Sequence, residues 1–467
     1  MANIPLPSAY SKGDSVRFDA SRLVNFEAIP ASGQLARGSF YLDSTPGLVA
    51  FSTLGTGLYS TRGLLQMGGV LYAVNGTTLY RVDSFGVETS LGTVAGSLPV
   101  TMAKIGQELV ICADALSYVW NAQTSTFSTI TDPDFYIADA VTGQNQRAIF
   151  NRRGTGQFFW SDTLSATSYD GLNLQTAEAN DDNLVAPFAA YDDLWLFGTE
   201  TTEIAREAVD GYYDRISGAV LDVGLASKYA VTRLGNAVYW LGHDGVVYGA
   251  AGYSPQIISS FAISDQIAGL SKISDAVMWS YSTHGHKHLV LTFIEGRRTF
   301  AYEINTGLWH ERSSYGVGQW RALNYAFCYG KHIVGALNES KLYTINRDAY
   351  DEDGTEIRRI VDMGFIADGV NSFTIDRVEL VLDTGLGGTA TGTATDPIVS
   401  LSWSNDGGRT FSTPLQATAG LLGNYQQRVV FRRLGQFRMD AMMRIEVSSK
   451  TPWRIVAADA ILEGRGV

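Results

Sequence analysis

The chain carries six histidines, and three of them fall within five residues, HGHKH, at His284, His286 and His288. Imidazoles at alternate positions of a strand project from one face, and first-row metal ions accept their nitrogens. A metal centre of that kind also draws ligands from more than one element and orients its rings with carboxylates. No carboxylate neighbours this cluster in sequence. The next residues, LVLTF from Leu289 to Phe293, are an apolar strand, so the cluster reads as the mouth of a hairpin whose second strand enters a core. No metal or other cofactor is expected.

A second candidate is SNDGGRTF, from Ser404 to Phe411, which matches the Asp-box pattern Ser-x-Asp-x-Gly-x-Thr-aromatic found in sialidases. Its mechanics are those of a turn: Asp406 can accept from nearby amides, Gly408 can supply a positive φ, and Phe411 returns to a core. The box occurs once, without an arginine cluster and a tyrosine nucleophile to accompany it. The alternative it raises is a glycan-binding or glycan-cleaving, sialidase-like propeller. The 23 tyrosines and nine tryptophans could stack on sugars. Aromatics at alternate strand positions are, however, ordinarily core and cross-strand pairs.

No phosphate loop, nucleophile elbow or HExxH motif is present. The acid pairs Asp181 with Asp182 and Asp192 with Asp193 sit in polar turns and are expected to be solvated rather than to work as acid and base. The run Asp351, Glu352, Asp353, Gly354, Thr355, Glu356 lacks the alternating oxygen ligands of a calcium loop and reads as a solvated turn. An enzyme is not expected.

These residues need elements to hold them, and the composition says which. Apolar residues make up 45% of the 467 and charged residues 18%, so the chain is globular. The 49 glycines, with 21 phenylalanines added to the other aromatics, fit many short strands joined by tight turns. One pattern recurs: a polar turn, an apolar strand, another polar turn, and a strand rich in Tyr and Val. It begins at Gly68, Gly106, Gln146, Asp192, Gly235, Lys287 and Gly330, a spacing of about 44 residues, the period of a four-stranded propeller blade. The expected fold is all-β: a β-propeller-like body of six or seven blades with a smaller C-terminal β-sandwich-like domain. The expected division is an N-terminal arm with first strands (1–50), the propeller-like body (51–360) and a C-terminal β-rich platform or docking domain (361–467). The tract from Thr384 to Asp396, TGLGGTATGTATD, reads as a mobile loop of that last domain.

Charge is uneven. The net charge is -12, yet residues 401–467 hold nine Lys/Arg against five Asp/Glu. An acidic body argues against ordinary DNA binding, which needs Lys and Arg for phosphates. The basic series Arg428, Arg432, Arg433, Arg438, Arg444 and Arg454 is interleaved with apolar residues, as on an exposed strand face that either docks an acidic partner or keeps the face soluble. Cys112 and Cys328 lie in apolar runs and are expected as buried thiols rather than a disulfide framework. Neither a signal peptide nor a membrane span is expected, and assembly in a cytoplasm fits.

Three passages together resemble one family: RLVNFEAIP from Arg22 with STPGL from Ser44; HGHKHLVLTF with RTFAYEINTGLWHERSS ending at Ser314; and SNDGGRTF with RVVFRRLGQFR from Arg428. They are similar to the packaged-DNA stabilisation proteins of short-tailed phages, the tail hub or nozzle below the portal. The segment with Trp309, His310 and Glu311 is the most specific part. The resemblance implies a hexameric tube in the virion tail, attached beneath a portal adaptor ring, capped by a needle or tip protein and flanked by fibres or spikes. Passing double-stranded DNA would be conducted without sequence-specific binding. On that reading the acids Asp181, Asp182, Asp192, Asp193, Asp351, Glu352, Asp353 and Glu356 are the pool from which a negatively charged channel lining would be drawn, and the basic C-terminal strands would face another protein.

Overall fold

The structure is a computed structural model that describes residues 2–464 apart from 14, 16–18, 32, 34–37, 115, 178, 368–370 and 388–395. Most of the Thr384–Asp396 tract therefore lies outside the described residues. Seven four-stranded antiparallel sheets follow one another around an axis: residues 61–93, 101–129, 141–176, 184–221, 231–257 and 276–311 form blades 1 to 6. Blade 7 takes Ala322–Cys328, Lys331–Ala336 and Lys341–Asn346, and its outer strand is Gly47–Thr53 from near the N-terminus. Ring closure thus pairs the first blade-forming strand in sequence with the last. All seven repeat starts fall at or beside the turn leading into the second strand of a blade.

The apolar runs are explained by what each strand touches. In blade 1, Leu71 and Ala73 of Val70–Asn75 pack against Ile333 and Leu342 of blade 7, while Tyr72 and Val74 face Leu109 and Ile111 of blade 2. The same alternation recurs at every blade, giving one buried apolar cluster at each of the seven junctions. A strand covered on both faces needs apolar residues at odd and even positions alike, so it reads as a continuous run rather than an alternation. Close approach shows at the closing junction, where a Cβ on Gly335 would sit 2.4 Å from Thr61 Cγ2. Among the described residues the one α-helix, Phe261–Ala268, is capped by Ser260 and buries Ile263 and Ile267 between blades 5 and 6. No helix is long and apolar enough to cross a membrane among the described residues. Cys112 and Cys328 are both buried and free.

Asp351–Glu352 and Thr355–Glu356 extend the blade 7 sheet, and the other strands form a two-sheet sandwich. One sheet is a continuation of blade 6: Arg22–Val24 runs parallel to Leu308–Glu311, then pairs with Arg359–Ala367, followed by Asp440–Val447, Ile398–Ser404 and Leu415–Thr418. The other comprises Phe26–Pro30, Phe40–Ser44, Arg454–Gly464, Phe373–Leu382 and Val429–Phe437, with Ala2–Ile4 also on Arg454–Gly464. Between the sheets lie Leu23, Phe26, Leu42, Val378, Phe431, Met443 and Trp453. The chain changes sheets at Asn25, whose φ of 56° is a left-handed conformation that asparagine tolerates. N-terminal strands are thus shared between the propeller and the sandwich.

Candidate functional site

The densest collection of buried polar groups lies where blade 6 passes into the sandwich. The tip of HGHKH is a two-residue turn: Thr283 pairs with His286, and His284 and Gly285 take φ of 49° and 85°. Both central residues of such a hairpin turn need positive φ. His284 is exposed in the turn, so of the three imidazoles only His286 and His288 share a strand face. His288 is 3% exposed and stacks on Tyr281 at 4.9 Å.

Carboxylates absent from the sequence neighbourhood arrive through the fold. Glu27, in Phe26–Pro30 of the sandwich, places Oε2 3.5 Å from His288 Nε2. Glu303 places Oε1 3.9 Å from His286 Nδ1 while accepting from the amides of Lys287 and Thr306 and from Asn305 Nδ2. Burial pushes Glu27 up to about 7, against the pull of Arg312 and Arg347. Burial, followed by the charge of Arg312, holds His310 down at about 3, and His288 is likewise lowered, so both rings are neutral.

His310, Glu311 and Arg312 of the WHER segment serve this seam, while Trp309 packs between blades 5 and 6. Trp309 Nε1 donates to the Ile258 carbonyl at 2.8 Å. His310 is buried edge-on to His288, their centroids 6.3 Å apart. Glu311 accepts from Arg22 Nη2 at 2.6 Å and from Arg298 Nη1 at 3.3 Å. Arg312 donates to the Pro46 carbonyl and lies 3.9 Å over the Trp320 ring. Asn25 Nδ2 donates to the carbonyls of Ser313 and Arg358, and its Oδ1 accepts from the Ser313 amide. Buried charges are stable only when paired and hydrogen-bonded, which this seam achieves by drawing from both bodies at once.

The acidic pool does not converge. Asp182 accepts from the amides of Glu200 and Thr201 at one end of the strand Asp193–Gly198, while Asp193 at the other end pairs with Arg206 and accepts from Tyr253 Oη. That strand sets the two acid pairs about 17 Å apart. Asp182 and Asp193 are thus partnered turn residues, not simply solvated ones, whereas Asp181 and Asp192 are exposed. Asp351 pairs with Lys450 and Asp353 with Lys341, and Glu356 is exposed. Glu352 corrects the expectation of a solvated turn and a channel-facing acid: it is 1% exposed, accepts from Trp320 Nε1 at 2.9 Å and contacts Arg321 Nε at 3.0 Å as an ion pair. Its strand lies parallel to Leu48 of the ring-closing strand, which draws it inside. None of the eight lines the cavities of about 250 and 490 Å³ on the propeller axis.

The basic series divides. Arg428 forms a two-point pair with Glu379, Arg444 with Asp362, and Arg454 contacts Asp43 and Asp383. These three arginines hold the sandwich's own strands. Arg432, Arg433 and Arg438 are exposed on or just beyond Val429–Phe437, an edge strand of its sheet.

The Asp box folds as a turn. Asp406 accepts from the Arg409 and Thr410 amides and the Thr410 and Ser404 hydroxyls, which hold its carboxyl well below the usual range, Thr410 foremost. Gly408 has φ 83° and donates to Ser404 Oγ. Phe411 does not enter the core; it is half-buried with the Arg444 guanidinium 3.8 Å from its ring centroid. Both carboxylate oxygens of Asp406 are thereby occupied within its own loop.

Sequence reasoning missed Glu27, Glu303 and Arg312 as partners of the histidines. A signal was present: FEAIP and FAYEI each set one glutamate inside an apolar strand, where a charge must find a buried partner.

A family model described as bacteriophage P22 Gp10, beta-propeller, matches residues 2–350, and one described as its beta-sandwich matches 358–463. No curated protein matches the chain. Solved structures with some likeness include a computationally designed protein, Ika8 (13% identity, TM-score 0.40, 70% of this chain and 100% of that one). The N-terminal domain of Nup159 gives 9% identity and TM-score 0.42 over 70% and 99% of the two chains. The Cps50 (Swd1) propeller of Myceliophteria thermophila gives 11% and 0.44 over 64% and 99%. The seven-blade assignment here stands on the strand pairing.

Proposed function

The chain belongs to the bacteriophage P22 Gp10 family and is a structural component of the virion tail; from that premise we propose that it is the tail nozzle, a ring that extends the portal channel, retains packaged DNA and conducts it at ejection. The ring is a hexamer assembled in the host cytoplasm, held by an adaptor above it, plugged by a needle or tip protein and flanked by fibres or spikes. The observation that carries this reading is the family match along both parts of the chain. The shared sheet between blade 6 and the sandwich supports it, because a channel wall that holds back DNA must transmit load without hinging.

The acidic body suits the passage. A basic wall would bind phosphates and release counterions, holding the genome back, whereas an acidic wall repels the duplex over about 8 Å at physiological salt. Arg432, Arg433 and Arg438, which form no ion pair among the described residues, face a protein partner. Particles assembled without this chain should package DNA and then lose it. Stable, full heads in the null mutant would contradict the proposal.

A further inference from the structure

Glu27 of the sandwich and His286 and His288 of blade 6 each bring one ligand atom to a point where all three lie within 4.8 Å of one another. We infer that these three side chains form a binding site for a divalent transition-metal ion of the zinc type, one that staples the sandwich to blade 6. The inference goes beyond the tail function and does not depend on it.

The donor set is the first argument. Two imidazoles and one carboxylate suit zinc, leaving a fourth position for water, whereas magnesium and calcium prefer oxygen ligands throughout. Ligands from two separate elements, 3% and 5% exposed at His288 and Glu27, are what the isolated HGHKH motif lacked. His288 supplies the second argument, since its Nδ1 is buried without a hydrogen-bond partner. The Glu27 carboxylate faces the other ring nitrogen, Nε2, at 3.5 Å, so the ring is held at one nitrogen by an acid and keeps a second donor atom uncommitted. Glu303 supplies the third. It stands 3.9 Å from His286 Nδ1, beyond hydrogen-bond reach, and is itself fixed by three N–H donors, so a small turn of the half-buried ring on loading would bring it onto an orienting carboxylate.

Tetrahedral zinc with bonds of about 2.0–2.1 Å sets ligand atoms about 3.4 Å apart, so the shell contracts on loading. His286 can make most of that movement, because it is half-buried and directly follows the His284–Gly285 turn. The staple would add a metal link to bodies joined by a continuous sheet, ion pairs and side-chain hydrogen bonds but by no disulfide, both cysteines being free.

The test uses the full-length protein, stripped with a chelator and titrated with zinc chloride by calorimetry, and with cobalt(II) as a spectroscopic probe. The inference expects one zinc per chain, visible d–d absorption from a four- or five-coordinate cobalt, and a higher melting temperature for the zinc-loaded form. Glu27→Gln and His286→Ala should each weaken zinc by roughly tenfold or more, with Lys287→Ala unchanged. His286→Ala, at a half-buried position, keeps the test valid if Glu27→Gln misfolds. Absence of stoichiometric zinc from the wild-type protein, or equal binding by wild type and His286→Ala, would overturn it.

Discussion

The seven junctions between blades and the single seam between blade 6 and the sandwich solve the same problem with opposite materials. At the blade 7 to blade 1 junction, Leu71, Ala73, Ile333 and Leu342 are all fully buried and bring no charge. At the seam, Glu27, His288, His310, Glu311 and Arg312, with Glu352 of the blade 7 sheet joined to Arg312 through Trp320, are all 5% exposed or less. A blade meets a copy of its own pattern on each side, so apolar area suffices and the register is set by the repeat. The seam joins unlike bodies once, and paired charges with directional hydrogen bonds fix which surfaces meet. The cost is that each buried charge depends on its partner.

That difference can be broken from the polar side first. Glu352→Ala should cost about 3–5 kcal/mol in chemical denaturation, because Arg321 and Trp320 Nε1 lose their buried acceptor. Adding Arg321→Met should recover part of that loss, since without Glu352 the arginine keeps Glu339 as its one carboxylate partner among the described residues. If the double variant is no better than the single, the seam is not governed by charge pairing. On the apolar side, Leu71→Ala should cost about 2–5 kcal/mol, and no second truncation across the junction should restore it.

Acid should sharpen the contrast. His310 has a folded pKa of about 3 against an ordinary 6.5, so the unfolded chain takes up the proton first. Its contribution to stability is present above about 6.5 and is lost as pH falls towards 3. Glu27, pushed up to about 7 from 4.5, acts in the opposite sense and is stabilising on the acid side of that window. Melting temperatures measured from pH 7 to 4 should fall less steeply in His310→Asn than in the wild-type protein, whereas Leu71→Ala should keep the wild-type slope. Identical slopes in all three would remove the seam from the acid response. The smallest effect belongs to His284→Asn, an exposed turn position with positive φ, where a change within about 0.5 kcal/mol is expected. A large loss there would mean that the turn is part of the buried cluster.

The same contrast explains what could be read beforehand. The repeat was legible because every blade needs a turn followed by a strand that is apolar on both faces, and Gly68, Gly106, Gly235 and Gly330 each mark that turn. The contribution of Gly47–Thr53 to blade 7 was not legible, since local pattern carries no information about which distant strand an edge will pair with. The seam was hidden for the same reason: Arg22 and Glu311 are 289 positions apart. Single charges in apolar strands, Glu27 and Glu303, were visible without their partners. Arg444 and Arg454 read as a docking face because their acids, Asp362, Asp43 and Asp383, are distant in sequence.

The most direct test of the account is an electron cryomicroscopy reconstruction of the virion tail with this chain labelled. A six-fold ring on the portal axis is the predicted result, with a net-negative surface towards the DNA and Arg432, Arg433 and Arg438 against a neighbouring protein. A trimeric copy number at the tail periphery, or a lumen lined mainly by Arg and Lys, would contradict it.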